Sequence, residues 1–111
     1  MRVWRITRGT TVHTAVFLAA WLLLPGQAAA DAASRGAAVV EQWCRLCHIH
    51  AGETQGPDMA PPFEEIVRRP GHDEVFFVRF LHEDHFPMTT YRLFEDEKSD
   101  VVAWLMSLKD R

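Results

Sequence analysis

The stretch Cys44-Arg45-Leu46-Cys47-His48 decides the reading of this chain, and its two cysteines are the only ones among 111 residues. Two cysteines separated by two residues admit three chemistries: a redox disulfide of the thioredoxin kind, half of a zinc site, or thioether attachment of a haem. The histidine directly after the second cysteine favours the third, because neither of the others requires it. Each thiol can add across a haem vinyl group, and the two-residue spacing lets one turn of chain reach both vinyls. His48 then lies beneath the iron and supplies its proximal imidazole. A zinc site of Cys44, Cys47, His48 and His50 would crowd four tetrahedral ligands into seven residues. A thioredoxin-like motif follows a strand, and no strand pattern precedes Cys44.

Upstream, residues 1–30 differ in character from the rest. They hold Arg2, Arg5 and Arg8 and no acid, then an apolar run from Val12 to Leu24 broken only by His13 and Thr14, then Pro25-Gly26 and Ala28-Ala29-Ala30. A basic start, a short apolar run and a small-residue site make a cleavable secretory signal peptide. The run is short of the roughly 20 residues a membrane span needs, so an uncleaved anchor is the weaker alternative. Cleavage after Ala30 leaves a single domain, residues 31–111, in the periplasm, with no stable membrane insertion. Without Arg2, Arg5 and Arg8, nine basic residues face 15 acidic ones, a formal charge of −6. That excludes nucleic acid as a partner and suits solubility or docking on a basic protein surface. A domain this small buries a limited core and calls for a staple.

Downstream, the pattern is helical with long connections. Val40, Trp43, Cys44 and Cys47 recur at three and four, which predicts a first helix from Gly36 to Cys47. Ala51 to Pro62, with Gly52, Gly56-Pro57 and Pro61-Pro62, reads as loop. A short helix fits Phe63 to Arg69, stopped by Pro70-Gly71. Asp73 to Glu83 reads as a third helix whose apolar side is Val75, Phe76, Val78, Phe80 and Leu81. His85 to Leu93 is loop. A last helix from Glu95 to Lys109 has an acidic first turn, a basic last turn and a stripe of Val101, Leu105 and Leu108 with Trp104 beside it. The expectation is an all-α domain of three to four short helices wrapped around one covalently attached haem.

The sixth iron position falls to Met88, after Pro87 in the last loop. A thioether there raises the reduction potential relative to a second imidazole. Met59 is the rival in the first loop, Met106 lies on the last helix, and His50, His72, His82 and His85 are the alternatives for a bis-histidine site. Arg68, Arg69 and Trp43 are the candidates for the haem propionates.

These residues together resemble the class I cytochrome c family of the small bacterial monohaem type, from about Gly36 to Leu108. Gly36 lies eight positions before Cys44, and Ala103-Trp104-Leu105 matches the aromatic segment of the family's C-terminal helix. The resemblance implies that Gly36 packs on Trp104 where the terminal helices cross. Gly56-Pro57 matches the family's Gly-Pro, which implies a hydrogen bond from His48 to the Pro57 carbonyl, a contact that fixes the ligand ring. Ala60-Pro61-Pro62-Phe63 and His85-Phe86-Pro87-Met88 resemble the stretches that follow. The chain departs in having Thr89 where many members have proline after the axial methionine, and Phe94 near the cap of the last helix. The implied function is electron transport by one haem iron with His48 and Met88 as axial ligands, between donor and acceptor proteins, in a chain that is not itself an enzyme. The alternatives are a cytochrome subunit or dedicated partner of a periplasmic oxidoreductase complex, with Phe76, Phe77 and Phe80 as an interface, and a five-coordinate haem sensor or enzyme.

Overall fold

A computed structural model describes residues 25–83, Met88 and residues 92–111. Residues 1–24, most of the expected signal peptide, lie outside the described residues, as do His85, Phe86, Pro87, Thr89 and Thr90. The described residues form four helices and no strand: α1 (Pro25–Trp43), α2 (Phe63–Arg68), α3 (Glu74–His82) and α4 (Glu95–Lys109). The all-α expectation holds, and α4 has the predicted bounds.

Helix α1 differs from its expected span at both ends. Pro25-Gly26 does not break it: both residues lie within the described helix. The alanines that follow are good helix formers, and Gly26 to Asp31 are exposed. The helix ends at Trp43 instead of running to Cys47. Helix α3 is capped by Asp73, whose side chain accepts from the Phe76 N–H at 2.8 Å. Before it, Gly71 turns the chain at φ 79°, a conformation open to glycine. Helix α4 has Phe94 at its cap position; the Glu97 carboxylate accepts the Phe94 N–H at 2.8 Å, half of a capping box without a capping hydroxyl.

The core is built on α4. It packs most extensively on α1, and α2 and α3 also lie against it. Val101, Trp104, Leu105 and Leu108 are buried as predicted, with Val102 added, and they meet Val40, Phe63, Val67, Phe77 and Leu81. The α1–α4 crossing rests on Gly36, which is buried. A Cβ there would overlap the carbonyl group of Asp100 and stand 2.9 Å from Cβ of Trp104. Beside it Arg35 grips the Asp100 carboxylate with two bonds of 2.7 Å, a bidentate geometry that sets the helix register.

The predicted apolar side of α3 is corrected. Phe77 and Leu81 are the buried pair, Phe76 and Phe80 are half-buried, and Val75 and Val78 are exposed. Six of nine residues in this helix are apolar, so periodicity could not single out a face. Phe76 stacks on His72 at 4.0 Å and on Phe80 at 5.6 Å, extending the core sideways.

The ends of α3 and α4 are tied by His82. Its Nδ1 lies 2.6 Å from the Val78 carbonyl and its Nε2 lies 2.6 Å from Glu95 Oε2. Both nitrogens face acceptors, which favours the imidazolium: the Val78 carbonyl and then Glu95 raise the His82 pKa above its usual value. Lys98, 2.8 Å from Glu95, and then His82 hold the Glu95 carboxyl low. The raised His82 value stabilises the fold fully below the unfolded histidine pKa, and that contribution is lost as pH rises through the folded value. The lowered Glu95 value stabilises it above the unfolded carboxyl pKa, and that contribution is lost as pH falls through the folded value. The pair therefore strengthens the fold in mildly acidic solution. His82→Gln should lower the melting temperature near pH 5.5 and leave it nearly unchanged above pH 8, as followed by circular dichroism. Equal losses at both pH values would count against the pair.

Candidate functional site

The chain leaves α1 through a single turn. The Cys44 N–H donates to the Val40 carbonyl at 2.9 Å, and the N–H groups of Cys47 and His48 both donate to the Cys44 carbonyl, at 3.2 and 2.9 Å. The turn places Cys44 half-buried against the core and Cys47 at the surface, with neither thiol paired. Trp43 (42 % exposed) and Leu46 (82 % exposed) present apolar surface beside them.

The His48 ring is held from two directions. Its ring stacks on Phe63 with centroids 4.9 Å apart, and Phe63 meets Trp104 edge-on at 4.9 Å, so the imidazole is wedged onto the α1–α4 core. Its Nδ1 lies 3.2 Å from the carbonyl of Pro61. A carbonyl can only accept, so Nδ1 carries the proton and Nε2 is left with the lone pair that binds a metal.

The residue behind His48 is thus Pro61, and the expectation of Pro57 is corrected. The Ala60 N–H donates to the Cys47 carbonyl at 2.8 Å and the Phe63 N–H to the Ile49 carbonyl at 3.1 Å, which lays residues 60–63 alongside the histidine. The Pro62 carbonyl is taken by the first turn of α2, through the N–H groups of Glu65 and Ile66, and the Pro61 carbonyl remains for the ring. Pro57 is exposed, in the turn that the Met59 N–H closes onto the Gly56 carbonyl.

The rival chemistries find less support. Burial, with a smaller push from Cys47, raises the Cys44 thiol to about 11, whereas a redox-active CxxC needs a lowered thiol pKa. Among the described residues no three His, Cys, Asp or Glu side chains converge as a metal site, which leaves the four-ligand zinc arrangement unformed.

Of the methionines, Met88 is half-buried and packs against the core cluster, as does Met106 from α4; Met59 is half-buried in the first loop. Two of the alternative histidines, His50 and His82, have both ring nitrogens engaged. His50 lies between Glu64 (3.1 Å from Nδ1) and Glu41 (3.4 Å from Nε2). His72 Nδ1 lies 2.8 Å from the Ile66 carbonyl, and His82 has both nitrogens occupied. His85 lies outside the described residues. Arg69 pairs with Glu65 at 2.7 Å and Arg68 donates to the Glu64 carbonyl at 3.1 Å, so both side chains serve α2.

Sequence reasoning missed a polar network around the motif. Arg45 donates to the His48 carbonyl at 3.0 Å and forks onto Glu53 at 2.8 and 2.7 Å. Glu53 also accepts the His50 N–H at 2.7 Å, and Glu64 accepts the Ala51 N–H at 2.8 Å. Burial opposes ionisation of Glu64, but its own N–H, that of Ala51 and the His50 ring outweigh it and hold the carboxyl below its usual range. Arg45, Glu53 and His50 lie outside the helices and Glu64 on α2, and no periodic spacing links them, so no sequence signal announces the network.

An all-α domain with an unpaired Cys-x-x-Cys-His turn, the histidine braced by a proline carbonyl and an aromatic core, has the architecture of a haem-attachment protein. Comparison agrees: 82 residues are 33 % identical to a cytochrome c-552 of Bradyrhizobium diazoefficiens, covering 73 % of this chain and 78 % of that protein. No family model and no solved structure matches the chain. The chain belongs to the c-type cytochromes, and its helices form the small cytochrome c fold. Among the described residues no helix is long and apolar enough to cross a membrane.

Proposed function

We propose that this chain is an exported class I cytochrome c. Residues 1–30 are removed, Cys44 and Cys47 hold one haem by thioethers, His48 and Met88 are the axial iron ligands, and the protein carries single electrons between donor and acceptor proteins in the periplasm. The observation that carries the reading is the state of His48: directly after two unpaired thiols in one turn, with Nδ1 committed to Pro61 and Nε2 left to bind. The group supplies one-electron cycling between ferrous and ferric iron. The chain's own part is to fix the imidazole through Pro61 and Phe63, to exclude water with the core around Trp104, and to leave apolar surface at Trp43 and Leu46 beside the attachment turn. Met88 is supported as the second ligand by its place against the core and by the engagement of both ring nitrogens of His50 and of His82. With both axial positions filled by protein, the chain is a carrier and not an enzyme.

The test is mass and optical measurement of the protein from an export-competent host. The expected mass is residues 31–111 plus one haem that survives denaturation. The ferric form should show the sulfur-to-iron charge-transfer band, and Met88→Ala should abolish it. The same variant should lower the midpoint potential by a sizeable fraction of the roughly 0.8 V that axial ligands span. A chain without covalent haem sinks the attachment, and a spectrum that ignores Met88→Ala sinks the ligand.

A further inference from the structure

We propose that Arg45 and Glu53 are positioning residues for the axial histidine: their ion pair anchors the backbone carbonyl of His48 and keeps the charge beside it neutral. This rests on the haem reading above and deepens it. The geometry is specific. One guanidinium nitrogen of Arg45 bonds at once to the His48 carbonyl (3.0 Å) and to Glu53 Oε2 (2.8 Å), and the second bonds to Glu53 Oε1 (2.7 Å). Glu53 Oε2 in turn takes the His50 N–H at 2.7 Å, so the carbonyl of His48 and the N–H two residues on are clamped by one pair. Glu41 completes the surround at 3.5 Å from Arg45 Nε. Arg45 is a quarter exposed, Glu53 less than half, and the planar fork loses little freedom per bond it forms. An arginine between the two thiols thus holds the far side of the histidine that Pro61 holds from the ring side.

Two consequences separate this role from that of an ordinary surface pair. The first is electrostatic. Ferric iron carries one more positive charge than ferrous, so an uncompensated cation nearby raises the midpoint potential and an uncompensated anion lowers it. Glu53→Gln removes the shorter of Arg45's two anionic partners, leaving Glu41 at 3.5 Å, and should raise the potential; Arg45→Gln removes the cation beside Glu53 and should lower it; Arg45→Lys, keeping the charge, should restore most of the wild-type value. The second is orientational. In the ferric protein the spread of haem-methyl proton resonances reports the plane of the axial imidazole, and both Gln variants should alter that pattern. Arg79→Gln, which breaks the Arg79–Glu83 pair at the end of α3, should not. Glu53→Gln keeps the shape and can still accept from Arg45, so it tests the idea in a folded protein. Potentials that move together or not at all, or an unchanged methyl pattern, in variants whose mass still includes haem overturn the proposal. Wild-type protein without haem overturns the reading beneath it instead.

Discussion

Gly36→Val should leave the protein without a cooperative unfolding transition, and Gly36→Ala should cost it about 3 kcal/mol or more, at the upper end of overpacking penalties. The cause is contact between two backbones. The added Cβ would overlap the carbonyl of Asp100 and stand 2.9 Å from Trp104 Cβ, and neither is the loose end of a flexible side chain. The helices would have to separate, which withdraws α1 from the surface it packs on most and pulls Arg35 off Asp100. A domain of this size is stable by about 4–12 kcal/mol in all, so one such displacement consumes a large share. Trp104 also carries Phe63, on which His48 stacks, and loosening the crossing should loosen the histidine. Urea unfolding followed by helical circular dichroism measures both variants. A Gly36→Ala midpoint equal to wild type would show that the crossing yields more readily than this geometry allows.

The same crossing shows what the sequence could and could not disclose. The Gly36–Trp104 contact was implied by the family resemblance and the structure brings the two together, while the motif at 44–48 is read within five consecutive residues. Helix α4 was legible end to end because its charges follow the dipole and its stripe follows the period. Helix α3 was not, since apolar residues surround most of it and only the packing of Phe77 and Leu81 against α4 selects a face. Gly-Pro at 56–57 pointed to the wrong carbonyl, because which proline reaches His48 depends on how residues 51–62 fold back, and that is set by the backbone bonds of Ala60 and Phe63. The Arg45–Glu53 pair was invisible for a related reason: both ends of the contact lie outside any periodic element. Long-range loop geometry, rather than helix content, is where sequence reasoning fell short.

Replacing both Cys44 and Cys47 by alanine should remove all covalent haem and lower the melting temperature by about 8–16 °C. The first effect follows from the proposed function, in which these are the chain's only thiols. The second follows from the fold. Between Trp43 and Phe63 the chain has no helix, and it is held by a few loop hydrogen bonds and the charged network on Arg45, Glu53 and Glu64. The two thioethers close a loop of only four residues, Cys44 to Cys47, which constrains the unfolded chain as a short disulfide loop does, by about 2 kcal/mol, and each kcal/mol shifts the midpoint of a domain this small by about 4–8 °C. Alanine is the right replacement because Cys44 sits where burial already disfavours its ionised form, so a hydroxyl there would add a polar cost of its own. The single variants order the two thiols: each should retain one thioether and fall between wild type and the double variant in stability. His48 and Met88 remain in the double variant and can still bind haem reversibly, so the decisive reading is a haem-stained denaturing gel with intact-chain mass. Covalent haem persisting without both cysteines would place its attachment elsewhere; loss of haem with an unchanged melting temperature would show that the four helices stand without the staple.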